Sequence, residues 1–326
     1  MDSLTPNIII FSMSALSTII FGTYLAKYGD ILASITGLGR LFIGSILVAL
    51  ATSLPELSAN ISAVLLTPPN PSLALGNVFG ANMVNMAVFA IIALLFGGKA
   101  VLDQISRNQW YLATLAVVMT IIVLLFGLVN ISLSLLNVGI SSFIILGIYL
   151  LGLRIIYITK PSESEEEDQS VEISALRAWS IFGMISLGVI ISGYFLAFSV
   201  DNIAEISGVA SSTLGIIVVS LVTTMPEASS YIASVRMKAA DLGVAGLFGS
   251  CVFNLTIIFY ADIFYAKSII NQFEKAHLIA CIVSLLLISI AALLVYFKNN
   301  TQSYIKNLTL FVIILVYGIG ILLITT

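Results

Sequence analysis

ILVALATSLPELSANISAV, residues 46–64, is the stretch whose reading decides the fold: Thr52, Ser53, Pro55 and Glu56 interrupt a run that is otherwise apolar enough to cross a membrane. The pattern returns as IVVSLVTTMPEASSYIASV, residues 217–235, where Pro226 and Glu227 stand 171 positions after Pro55 and Glu56. A second segment repeats beside it, GNVFGANMVN at 76–85 against AGLFGSCVFN at 245–254, at an offset of 169. Two consecutive segments that match at nearly constant offset mark an internal duplication.

The composition around these segments excludes a soluble globule. Of 326 residues, 60% are hydrophobic and 9% charged, whereas soluble proteins carry about a quarter charged residues. A bilayer crossing takes about 20 apolar residues in a helix. Ten runs of that kind fall near 7–28, 38–66, 71–97, 109–128, 131–157, 177–199, 211–235, 241–265, 275–297 and 304–325. The most polar stretch, PSESEEEDQSVE at 161–172, divides the fifth from the sixth. The chain therefore reads as an all-α integral membrane protein: a first five-helix repeat (1–160), an acidic linker (161–176) and a second five-helix repeat (177–326). An odd number of spans per half turns the second copy upside down, the inverted repeat of many secondary transporters, with broken helices expected at the ion site.

Orientation follows from the thirteen basic residues. Lys27, Arg40, Lys99, Arg107, Arg154, Lys160, Arg177, Arg236, Lys238, Lys298 and Lys306 fall at one set of loops and helix ends, and Lys267 and Lys275 at the other. The positive-inside rule puts the larger set and the acidic linker in the cytoplasm and both termini outside. The N-terminus lacks the basic region of a cleaved signal, so the first apolar run reads as a true span. No basic, aromatic-rich patch points to nucleic acid. Cys251 and Cys281 have no zinc spacing. The lone His277, at the start of the ninth run, is expected at the membrane interface.

The chemistry concentrates on Glu56 and Glu227. An ionised carboxylate at a membrane helix centre costs roughly 2.5–3.5 kcal/mol even on the mildest scale. Two at equivalent positions call for a positive partner, and the basic residues all lie at span ends or in loops. A bound cation or protonation of the acids is left. The neighbours suit a cation. Pro55 and Pro226 break the helix and release carbonyls. Thr52, Ser53, Thr223 and Thr224 add hydroxyls. Gly76, Gly80, Gly246 and Gly249 allow close approach or unwinding, and Asn85, Asn254 and Ser250 add side-chain oxygens. Such hard oxygen donors fit Ca²⁺ or Na⁺ and not zinc or copper. Asp201 and Glu205, at the outer end of the sixth run, are candidates for attracting cations.

These paired motifs resemble the alpha-repeats of the sodium/calcium exchanger family, within the cation/calcium antiporter superfamily, over about 44–89 and 213–258. The resemblance implies ten helices with the four motif-bearing ones around the ions. It implies Glu56 and Glu227 as the main calcium ligands, Thr52 and Thr223 completing that site, and Ser53, Thr224 and Ser250 as sodium-coordinating hydroxyls. Ala49 and Ser220 would supply backbone carbonyls, and Asn85 and Asn254 the amide or carboxylate position of the second motif helix. Four positions depart from the family pattern: Asn254 where Asp is frequent, Ala81 where a serine ligand is common, and Ala51 and Val222 where Gly usually precedes the hydroxyl pair.

The expected activity is secondary antiport of Ca²⁺ for Na⁺ at the cell membrane by alternating access. A proton-coupled exchanger of Ca²⁺ or another divalent cation is the alternative, and a cation channel the rival from another class. The partners are Ca²⁺, Na⁺ or H⁺ and the lipid bilayer. No resident cofactor is expected. Enzymatic chemistry is not, since the spans hold neither a nucleophile arrangement nor a metal site built on histidines.

Overall fold

The computed structural model describes residues 4–35, 51–129, 133–159, 174–265 and 267–326. Apart from one pair of two-residue strands, its regular structure is helical: α1 (Leu4–Ile35), α2 (Leu54–Leu65), α3 (Pro71–Leu95), α4 (Gln109–Val129), α5 (Ile140–Thr159), α6 (Ala175–Ser207), α7 (Ser211–Thr223), α8 (Met225–Arg236), α9 (Ala240–Phe264), α10 (Lys275–Phe297) and α11 (Ser303–Thr325). Seven of these, α1, α3, α4, α6, α9, α10 and α11, are long and apolar enough to cross a bilayer, and α7 with α8 forms a bent pair that passes together. α5 carries a shorter apolar stretch, and α2 continues a run whose first part, 36–50, lies outside the described residues. The acidic segment 161–173 also lies outside them, and the last two residues of the expected linker already belong to α6.

Burial sorts the helices into layers. α3 and α9 have 83% and 78% of their most apolar stretch buried inside the protein, α1 and α6 only 28% each. The first pair is the centre of the bundle. It packs on α2, α4, α7, α8 and α10, while α1 and α6 lie along each other and cover α2 and α8 from outside. The exposed faces of α1 and α6 carry Ile9, Met13, Leu16, Ile20, Leu187, Ile191 and Phe195, an apolar surface that water would not tolerate and lipid does.

Two breaks interrupt this frame at the predicted prolines. Ser53 is a turn residue between the helical Ala51–Thr52 and α2, and Thr224 separates α7 from α8 at a bend of 41°. Pro55 and Pro226 sit in the first turns of α2 and α8. A proline is tolerated there because its missing N–H is unneeded, yet it removes the donor that would continue the preceding helix. A π-helical stretch, Gly215–Val219, loosens α7 one turn before its break.

Polar clamps hold the ends of the bundle. At the basic end, Asp241 accepts from Ser106 N (2.7 Å) and Gln109 Nε2 (2.8 Å), the buried Lys298 donates to the carbonyls of Leu102 and Ile105, and Lys306 pairs with Asp103 at 2.9 Å. The hydrogen bond from Lys306 holds the Asp103 carboxyl below its ordinary range. At the other end, the buried Asp262 accepts from Ser142 Oγ (2.7 Å), Ile269 N (2.7 Å), Gly139 N (3.0 Å) and Ser268 Oγ (3.0 Å). These bonds tie α9 to the start of α5 and to the turn at Ile269–Gln272.

Two expectations change. The fifth run does not begin as a helix: Ser134–Leu135 pairs antiparallel with Val138–Gly139, and α5 starts only at Ile140. Leu136 and Asn137 both take positive φ (53° and 65°), the conformation of a tight two-residue hairpin turn, and Asn at the second position favours it. His277 is not at an exposed interface but fully buried. Its Nδ1 accepts from Glu274 N (3.0 Å) and its Nε2 lies 2.9 Å from the Ser72 carbonyl, so it caps α10 and fastens it to the start of α3.

Replacing Asp262 with Ala strands four donors in a buried place, where an unsatisfied group costs roughly 1–3 kcal/mol. Thermal unfolding of the detergent-solubilised Asp262→Ala variant is expected to show about 3 kcal/mol of lost stability, with Asp262→Asn losing less. An unchanged melting temperature in both would contradict the clamp.

Candidate ion-binding site

Each glutamate occupies the third position of a half-helix, three residues beyond the break residue that caps it: Glu56 after Ser53, Glu227 after Thr224. The positive end of a helix dipole favours a carboxylate in that first turn. Both side chains are nonetheless withdrawn from water, at 0% and 3% exposure. Local sequence thus brings each acid to a helix start, and tertiary packing buries it.

The two halves meet through these residues, and they do so crosswise. Thr224 Oγ1 of the second half donates to Glu56 Oε1 of the first at 3.2 Å, and Ser53 Oγ of the first half donates to Glu227 Oε1 of the second, also at 3.2 Å. The four residues correspond at the 171-residue offset, so the contact is its own image under the repeat. Ser250 Oγ on α9 lies 3.3 Å from Glu227 Oε1, 3.1 Å from Ser53 Oγ and 3.5 Å from Thr52 Oγ1. In each carboxylate the second oxygen, Glu56 Oε2 and Glu227 Oε2, is buried without a hydrogen-bond partner among the described residues. Two such acceptors are costly unless something positive reaches them.

The remaining expected residues fall around this centre at different distances. Thr223 turns its hydroxyl to Asn77 Oδ1 (3.2 Å). Asn254 donates to Asn82 Oδ1 (3.1 Å) rather than to a glutamate, and Asn82 donates to the Cys251 carbonyl (3.1 Å). The buried Asn254 Oδ1 is left without a partner among the described residues. Asn85 is fully buried on α3, one turn beyond Ala81. The Ser220 carbonyl accepts Thr224 N at 3.0 Å, and the Ser220 hydroxyl bonds to the Ile216 carbonyl within its own helix. Ala49 lies outside the described residues. Asp201 is engaged by Asn70, which also donates to Ser211 Oγ (2.9 Å); these bonds join α6 to the starts of α3 and α7.

The motif glycines do not unwind their helices: α3 and α9 run unbroken through them. Gly76 and Gly80 let α3 lie against the backbone of α7 at Ser212 and Ile216. Asn77 and Asn82 do not stand out in the sequence because the repeat gives them no polar counterpart: at the 169 offset they face Gly246 and Cys251. Three amides within GNVFGANMVN were the available signal.

A cavity of about 280 Å³ reaches this centre from one side. It runs from Glu227 and Thr52 along Pro226, Ser229 and Ser230 to Met237 and Lys27, both of which are exposed. Gly246 opens onto it, with nothing within 4 Å of the space a side chain would take. Its walls are mostly apolar, with Met237, Leu242 and Leu247 among them, and carboxylate and hydroxyl oxygens stand at its inner end on Glu227 and Thr52. Among the described residues no three His, Cys, Asp or Glu side chains come together.

Comparison with known proteins agrees with this architecture. The inner membrane protein YrbG of Escherichia coli is 25% identical over 244 residues, 70% of each chain. Among solved structures, the H+/Ca2+ exchanger CAX superposes with a TM-score of 0.72 at 14% identity, covering 97% of this chain and 86% of that one. The sodium-calcium exchanger NCX_Mj superposes at 0.59 with 17% identity, covering 98% and 99%. At such identities the likeness is one of fold. The family model described as sodium/calcium exchanger protein matches residues 6–158 and 177–326, which is both halves of the chain. On that match, this multi-pass membrane protein belongs to the sodium/calcium exchanger family.

Proposed function

We propose that the chain is a secondary antiporter that exchanges Ca²⁺ for Na⁺ by alternating access, with ten spans in two inverted halves. The observation that carries the reading is the crossed glutamate pair, each acid bonded by the other half's cap hydroxyl and left with one unpartnered buried oxygen. Two ionised carboxylates carry the charge that one Ca²⁺ neutralises. Emptied, the site would leave two uncompensated charges in a low-dielectric interior, and moving it across the membrane would be costly. Several Na⁺ or two protons also restore neutrality or nearly so. Either cargo permits the switch and the empty site resists it, which makes the exchange obligatory.

The positive-inside rule sets the cavity at Lys27 and Met237 on the cytoplasmic side, so this conformation is read as open inward. Proton coupling is the second reading, favoured by two features. Ala81, fully buried, puts a methyl where a hydroxyl ligand is common, and Asn254 puts an amide where an acid is frequent. Both leave fewer oxygens for Na⁺. A channel is the reading from another class, but channels usually build carboxylate rings at a pore axis, whereas here the acids meet at a buried crossing.

Purified protein in liposomes tests the proposal. Ca²⁺ uptake is expected when an outward Na⁺ gradient is imposed, with current if three Na⁺ move and none if two protons do. Response to a pH gradient alone establishes the second reading, and flux without a countergradient at channel rates refutes both. Glu56→Gln and Glu227→Gln are each expected to weaken Ca²⁺ binding by about a hundred-fold or more, since affinity in oxygen sites follows the ligand charge. Isothermal titration reads this directly, and retention of wild-type affinity in either variant would exclude a shared site. Ser53→Ala and Thr224→Val, which remove the two crossed hydroxyls, are expected to cost about ten-fold each and to match one another, because the contacts are repeat images.

A further inference from the structure

The repeat extends beyond the motif helices into the outer pair. At the same 171-residue offset, Leu16, Ile19, Ile20, Gly22 and Leu25 of α1 recur as Leu187, Ile190, Ile191, Gly193 and Leu196 of α6. α1 packs on α8 and α6 packs on α2, so each contact on one side defines an equivalent contact on the other. The structure makes one and not the other.

On the α6 side the seam is closed. Gly193 lies so close to α2 that a Cβ would collide with Ser58 Oγ and come within 3.2 Å of Ala59 N. Ser58 Oγ donates to the Ile190 carbonyl at 3.1 Å, with the Val189 carbonyl at 3.5 Å. The images of Ser58 and Ala59 are Ser229 and Ser230. They are not among the atoms nearest the place of a Cβ on Gly22. They line the cavity that leads to Glu227, and Ser229 Oγ bonds back to the Met225 carbonyl of its own helix at 2.9 Å. Gly22 sits instead against Pro226, with Pro55 Cγ 3.3 Å from the place of a Cβ. Gly22 is therefore seated three to four residues earlier on α8 than symmetry with Gly193 requires. At 1.5 Å per residue this is one helical turn, about 5 Å.

We propose that Ser58 and Ser229 are alternating seals of the two access routes, each closing its side by a hydroxyl bond to the backbone of the outer helix, one held at a time. The inference rests on the antiport reading and concerns how that same site is closed. In the opposite state Gly22 seats on Ser229 and Ser230, and Ser229 donates to the Ile19 carbonyl, the image of Ile190. Gly193 moves to Pro55, and Ser58 falls back on the Leu54 carbonyl, the image of Met225. One intermolecular-style bond between helices is exchanged for its twin. The released serine is satisfied within its own helix, so neither state strands a buried hydroxyl. Packed helices have discrete seats, and a one-turn ratchet is an established way to move between two of them.

The test uses the full-length protein in liposomes with Ala59→Cys as an outer reporter; Cys251 and Cys281 are both fully buried. A membrane-impermeant maleimide reads how often the outer seam opens. Ser58→Ala is expected to raise labelling about three-fold and Ser229→Ala to lower it about three-fold, the scale of one interhelical hydrogen bond in a membrane, while Ser58→Thr, which keeps the hydroxyl, restores the original rate. Should Ala59→Cys fail to fold, Ser230→Cys reads the same exchange from the inner side with opposite signs. Shifts in the same direction for both alanine variants, or no shift, overturn the proposal. Cation flux from the same liposomes separates the two claims: exchange with same-direction shifts sinks the seals alone, and opposed shifts without any exchange sink the antiport reading alone.

Discussion

Two carboxylates buried in an apolar interior are the constraint from which the rest of this protein follows. Neither can be left ionised without a partner, and among the described residues neither has a basic side chain to neutralise it. The local features around the two breaks serve that problem. The breaks at Ser53 and Thr224 end one half-helix and start another, which aims a helix dipole at each acid. The prolines keep the breaks open, and the crossed hydroxyls hold one oxygen of each carboxylate while the other stays buried without a hydrogen-bond partner among the described residues.

The same packing divides the molecule into an enclosed centre and an outer pair of helices. α3 and α9 are enclosed on nearly all sides, and the clamps at Asp241, Asp262 and Lys298 tie them and their neighbours α4, α5 and α10 into one frame. α1 and α6 touch the frame along one face and present the other to lipid. Sliding them disturbs few polar contacts, because lipid is indifferent to a displacement along the helix axis. A transporter must keep its ligands in place while changing which side reaches them, and this division of labour permits both.

Much of the candidate site was legible in the sequence because membrane insertion makes polar residues conspicuous. Glu56, Glu227 and their flanking hydroxyls stand out from apolar runs, and the duplication ties them in pairs. The same filter hid Asn77 and Asn82, whose counterparts are Gly246 and Cys251; an internal repeat reveals what both halves share and conceals what one half has alone. The hairpin before α5 was hidden for another reason: its residues are as apolar as a helix, and only the positive φ of Leu136 and Asn137 distinguishes it. His277 looked interfacial because it lies at a helix start, and it is buried because α3 begins beside it.

The sequence by itself determined the solvent, the helical class, the duplication and the identity of the two acids, since those depend on hydropathy and on spacing along one chain. Tertiary structure alone decided the crossing. Which hydroxyl serves which carboxylate depends on how the two breaks meet, and which serine bonds the outer helix while its twin lines a cavity depends on how α1 and α6 seat against α2 and α8. Residues more than a hundred positions apart make those contacts, and the two halves, alike in sequence, are packed one helical turn out of register. An internal symmetry fixes the two seats that such a chain has available, and only packing selects the one it occupies.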